Sequence, residues 1–232
     1  MSEKDDRQRI RGILASMAMV PGDMESTANE IYNYLIGPNR YYHTFDHVMY
    51  MLHAYDVFRS YADEDGVFMA MAILCHDLYW RHGAPAGECE VWSANMCRML
   101  MGKCGSAHNV VKVNYTMMSV TDLVCNAICD TAKYMGGSVA GGFARRLCDV
   151  DLASLARESY EDFVTQQQLI LREAGQGTEG RGKCAAFLSE FRSKREGVFY
   201  RTEEGVAAWN ARALSNIDRY IEDFGRGQGE VL

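Results

Sequence analysis

Three stretches of the chain place metal-binding side chains beside apolar sequence: Tyr41-Tyr42-His43-Thr44-Phe45-Asp46-His47, His76-Asp77, and Asp149-Val150-Asp151-Leu152. Asp77 is the most informative. It directly follows the apolar run VFMAMAILC, Val67 to Cys75. A buried, unpaired carboxylate costs several kcal/mol or is neutralised. A helix C-terminus also disfavours negative charge. Something positive must compensate, either Arg81 on the surface or a divalent cation in the core. Two imidazoles and two carboxylates form a mixed nitrogen and oxygen set, which suits Mn, Fe, Co, Ni or Zn better than Ca. Each residue also has a plain structural alternative. A histidine on an apolar face is commonly a hydrogen-bonded core residue, and Asp149 or Asp151 can cap a helix.

The elements that must position these groups read as helices. Ile10, Ile13, Leu14 and Met17 form one apolar stripe, and Pro21 breaks the chain after it. Ala28, Ile31, Tyr32 and Leu35 form a second, ended by Gly37-Pro38-Asn39. Thr44 is the expected N-cap of a third helix, with Val48, Met51, Leu52, Tyr55 and Phe58 on its buried face. His47 then lies in the first turn and points toward the core. Val67 to Cys75 reads as a buried helix because Met, Ala and Leu dominate it. Further helices are expected near 88–103, 119–133, 150–173, 183–193 and 204–223, with glycine-rich loops at 136–142 and 175–182.

The 232 residues are 48% apolar and 24% charged, enough for a sizeable core and unlike a disordered chain. The expectation is one all-α domain: N-terminal helices over 1–38, a metal-binding core over 39–175, C-terminal helices over 176–224, and a loose tail over 225–232. A net charge of −7 argues against general nucleic-acid binding. No apolar run reaches the roughly 20 residues needed to span a bilayer, and the charged N-terminus lacks a signal-peptide pattern. A cytoplasmic location is expected. The eight cysteines contain no CxxC pair and read as reduced thiols.

The order H…HD…D resembles the signature of the HD superfamily of metal-dependent phosphohydrolases. The likeness extends to Arg40-x-Tyr42-His43-x-x-x-His47, Ala72-x-x-x-His76-Asp77, Glu90-x-x-Ser93-Ala94 and Asp149-x-Asp151-Leu152. It is similar to a subgroup whose segments read approximately R-x-Y-H-x-x-x-H, A-x-x-x-H-D-x-x-Y, N-E-x-x-S-A and D-A-D-L. The match runs from about residue 39 to 155 and continues weakly through Tyr160, Gly180-Arg181 and Phe187-Leu188. This chain departs from the pattern at Trp80, Cys89, Tyr134 and Gln168, where the subgroup has tyrosine, asparagine, histidine and arginine. The departures spare the metal-type residues and bear on the substrate, a second metal or a proton donor.

The resemblance implies an HD-type helical domain with one divalent metal ion, drawn from Mn, Fe, Co, Ni, Zn or Mg. Its ligands would be His47, His76, Asp77 and Asp151, with Asp149 as the alternative to Asp151. The implied reaction is hydrolysis of a phosphate ester by metal-activated water, on a nucleotide or another small phosphorylated metabolite. Asp77 would also orient the nucleophile. His43 is a candidate proton donor and Glu90 a candidate base. Their structural alternatives are a loop histidine bonding backbone and a first-turn helix acid. Arg40, Arg81, His82 and Lys133 are candidate phosphate contacts. The alternative function is a catalytically altered module that binds a nucleotide or metabolite. A di-iron oxygenase needs more histidines, and His53, His82 and His108 lack a ligand context. A homodimer is compatible with each enzyme reading.

Overall fold

The computed structural model describes residues 3–61, 66–105, 109–113 and 116–225. The expected tail therefore falls outside the described residues apart from Gly225, as does His108. The architecture is all-α with one small hairpin. In chain order the elements are α1 (Glu3–Ser16), α2 (Pro21–Leu35), α3 (Phe45–Ala54), α4 (Gly66–Cys75) and α5 (Glu88–Met101). Strands β1 (Val110–Val113) and β2 (Thr116–Ser119) follow, then α6 (Val120–Thr131), α7 (Gly142–Asp151), α8 (Tyr160–Glu173) and α9 (Arg181–Lys194). The chain ends in α10 (Glu203–Gly205), a π-helical turn (Val206–Asn210) and α11 (Ala211–Phe224).

The sequence explains many of these boundaries. Pro21 opens α2, where a missing backbone N–H costs nothing. Ser119, Ser159 and Thr202 cap α6, α8 and α10 by accepting from the backbone N–H of Asp122, Asp162 and Gly205. Thr44 occupies the N-cap position of α3 in extended conformation, but its hydroxyl makes no capping bond.

Helix α4 is the centre of the fold. It has no polar face: Met69, Met71, Ala72, Ile73, Leu74 and Cys75 are all buried. A helix apolar on every side must be surrounded, and α1, α3, α5, α6 and α7 all pack on it. Apolar packing therefore brings the start of α3 and the ends of α4 and α7 together. One core cluster runs from Ile10 in α1 to Tyr220 in α11.

Two expectations need correction. The helix expected over 150–173 is broken. Residues 142–151 form α7, a 3₁₀ turn covers Leu152–Ala156, and α8 starts only at Tyr160. Ser159 offers a cap there, so α8 nucleates anew. The DVDL segment thus lies at a helix end instead of a helix start. The hairpin is the second difference. Val110 pairs with Ser119 and Val113 with Thr116 in antiparallel register. Four-residue strands are too short to stand out against helical periodicity.

Among the described residues, no helix is long and apolar enough to cross a membrane. All eight cysteines are free, and six are buried.

Candidate metal centre

Three helix ends build the site. His47 projects from the first turn of α3, His76 and Asp77 follow the last residue of α4, and Asp151 closes α7. The His47 and His76 side chains are 2% exposed, while those of Asp77 and Asp151 are 16% and 25% exposed. The centre is thus buried on its imidazole side and open to solvent on its carboxylate side.

The donor atoms converge. Nε2 of His47 lies 3.3 Å from Oδ1 of Asp151 and 3.9 Å from Oδ2 of Asp77. Nε2 of His76 lies 2.7 Å from Oδ2 of Asp77 and 3.6 Å from Oδ1 of Asp151. The ligand atoms of His47, His76 and Asp77 all fall within 4.8 Å of one another.

His76 carries the sharpest evidence. Its Nδ1 donates to the carbonyl of Ile73 at 2.8 Å, one of the carbonyls a helix end leaves open. That bond fixes the tautomer, so the neutral ring directs a lone pair from Nε2. The facing atom, Oδ2 of Asp77, is also a lone-pair donor. The pair is close but not aligned as a hydrogen bond, and both atoms are buried without a hydrogen-bond partner. Two such atoms at that distance require a proton or a cation. A divalent ion fits this donor set.

The electrostatics agree with that reading. Burial pushes Asp77 up, but His76, His43 and His47 outweigh it and hold the carboxyl well below the usual range. Burial likewise opposes ionisation of Asp151, yet the imidazoles of His47 and His76 bring it down to about 2. Burial lowers His76, but the Asp77 charge and its carboxylate partners raise it well above the ordinary imidazole value. His47 is lowered by burial. The carboxylates thus stay charged and hold positive charge between them.

Comparison with protein-family models, curated proteins and solved structures gave no match. The site must therefore be read from its own geometry.

Asp149 and Asp151 do different things. Asp149 is fully buried and accepts from the backbone N–H of Arg201 and Thr202 and from the Thr202 hydroxyl, at 2.6, 2.9 and 2.6 Å. It anchors the start of α10, while Asp151 faces the imidazoles.

The candidate phosphate contacts divide similarly. Arg40 donates to the carbonyls of His43, Asp77 and Leu78 at 2.7–2.8 Å. It therefore ties the segment before α3 to the turn after α4. Arg40 meets Asp77 only at its backbone carbonyl; the groups that hold the carboxyl charged are His76, His43 and His47. Arg81 pairs with Glu88 at 2.7 Å on the surface. Lys133 pairs with Asp130 and donates to the Ser138 carbonyl. His82 is exposed, with its ring roughly parallel to that of Trp80.

Glu90 lies in the first turn of α5, half-buried, and burial with the charges of Asp77 and Asp151 raises its carboxyl. His43 stacks on Trp80 and meets the edge of His47. Tyr42 packs on the His47 ring at 4.7 Å and hydrogen-bonds Ser154, which holds that ring in place. His53 is exposed on α3, 3.7 Å from Asp56 and apart from the centre.

Sequence reasoning missed Glu173. This buried acid receives hydrogen bonds from the backbone N–H of Tyr41, Tyr42 and His43 and meets the His43 ring. The signal was available, since an acid in the last turn of a helix is opposed by the dipole, the same argument that marks Asp77.

A cleft of about 500 Å³ has Tyr41, Trp80, Arg81, His82, Arg172 and Glu173 among its walls; none of His47, His76, Asp77 and Asp151 lines it, and its link to the centre is through Trp80 and Glu173, which both touch His43. It combines cationic groups with aromatic faces.

Proposed function

We propose that this protein is a metal-dependent phosphohydrolase of the HD superfamily, acting on a nucleotide or another small phosphorylated metabolite. The supporting observation is the convergence of His47, His76, Asp77 and Asp151, in which the facing Nε2 of His76 and Oδ2 of Asp77 are buried without a hydrogen-bond partner. These four residues would hold one divalent cation. When bound, the cation supplies Lewis-acid activation of water and offsets charge on the phosphoryl oxygens.

The chain supplies the rest. The open carboxylate side admits substrate, and the buried imidazole side excludes water. Asp77 would orient the nucleophilic water, and Glu90, whose carboxyl feels the charges of Asp77 and Asp151, would accept its proton. His43 touches two residues of the cleft wall, Trp80 and Glu173. The aromatic and cationic walls of the cleft favour a planar, anionic substrate, which supports a nucleotide over a simple sugar phosphate.

Elemental analysis of purified protein, followed by phosphate release across nucleotides and phosphorylated metabolites, tests the proposal. His76→Ala with Asp77→Ala should remove both bound metal and turnover. Full activity in that double variant would end the hydrolase reading.

One observation favours a second reading, a binding module without hydrolysis. Arg40, Arg81 and Lys133 are already engaged by protein groups. Thermal stabilisation by nucleotides without phosphate release, in metal-loaded protein, would select it.

A further inference from the structure

Glu173 is the last residue of α8, and its side chain is 1% exposed. A buried carboxylate there needs several donors to be tolerated. Oε2 accepts from the backbone N–H of Tyr41, Tyr42 and His43, and Oε1 lies 2.7 Å from Nδ1 of His43. An ionised carboxylate only accepts hydrogen bonds. The proton of the fourth bond therefore sits on Nδ1, and Nε2 is the ring nitrogen left for exchange. The His43 ring is 26% exposed, stacked on Trp80, and edge-on to His47. It stands beside the four converging groups without joining them.

We infer that Glu173 is a positioning residue that fixes His43 with Nδ1 protonated, so that Nε2 delivers a proton to the departing oxygen of the substrate; this rests on the phosphohydrolase reading. In that step the attacking water forms a bond to phosphorus and the ester phosphorus–oxygen bond breaks. The leaving oxygen keeps the electron pair and takes the Nε2 proton of the His43 imidazolium. The proton released by the water passes to Glu90, and His43 regains its own from solvent. Ester and water become alcohol and phosphate, with no other reagent.

Glu173→Gln keeps the size of the side chain and an accepting oxygen. Its amide nitrogen, facing Nδ1, donates and drives the ring proton to Nε2. Ring ¹⁵N NMR of the full chain, metal-free and zinc-loaded, reads this without turnover, with His43 assigned through His43→Gln. The expected result is protonated Nδ1 in the wild type and protonated Nε2 in Glu173→Gln. A wild-type neutral ring protonated on Nε2 overturns the inference, even where the variant does not fold.

Kinetics then separate positioning from simple structural support. Glu173→Gln should lose about 100-fold on an alkyl phosphate, whose leaving oxygen needs a proton. On nitrophenyl phosphate, whose leaving group needs none, the loss should be under about tenfold. Equal losses on both esters overturn the proton-donor role. A wild type that shows the expected nitrogen pattern but cleaves neither ester removes the hydrolase reading while leaving the tautomer assignment standing.

Discussion

Asp149 and Asp151 are two residues apart, yet one is saturated by protein donors and the other faces two imidazoles. Their variants should separate cleanly. Asp151→Asn is expected to lose most of the bound metal, because an amide is a poor substitute for a charged ligand. Asp149→Asn should keep the metal stoichiometry but destabilise the fold by about 2–3 kcal/mol, through loss of charge-assisted bonds. Elemental analysis and urea melts of both proteins check this. Equal metal loss in the two variants would put Asp149 in the centre and refute the assignment.

At the scale of elements, the centre is made where helices stop. Position along a helix decides which groups are left open, and His76 uses one such carbonyl, that of Ile73, to aim its ring. The end of α7 is pinned to the start of α10 by Asp149, and Gly205 makes room for that contact. A Cβ on Gly205 would sit 2.6 Å from Oδ2 of Asp149 and 3.1 Å from Oγ1 of Thr202. The carboxylate cannot swing away without losing its three donors. Gly205→Ala should therefore cost about 1–3 kcal/mol. It should also weaken metal binding, since Asp151 ends the helix being displaced. A melt matching wild type would show that the anchor is loose.

For the whole molecule, a bound ion stabilises the folded state by mass action. At 100 times its dissociation constant the gain is about 2.7 kcal/mol. For a chain of this size that corresponds to roughly 5–10 °C in melting temperature. The pH dependence has a definite sign. Without metal, the raised His76 value contributes stability that is fully present below about pH 6.5. That contribution is lost as pH rises through the folded value. A cation must displace this proton, so the metal-dependent gain should grow with rising pH and shrink as pH falls through the imidazole range. Differential scanning calorimetry with and without zinc, from pH 5 to 8, measures it. A gain independent of pH would argue against imidazole ligation.

The sequence by itself determined the helical class, the central position of the apolar helix that ends at Cys75, and the chemical types at His47, His76, Asp77 and Asp151. These follow from local rules: apolar periodicity marks helices, and a carboxylate joined to an apolar run demands compensation. Only the tertiary structure decided which of Asp149 and Asp151 faces the imidazoles, that Arg40 clamps backbone carbonyls, and that Glu173 meets His43. The last pairing spans 130 residues. Local periodicity carries no information about such distant partners, because packing of α3, α7 and α8 around one shared core sets which helix ends meet.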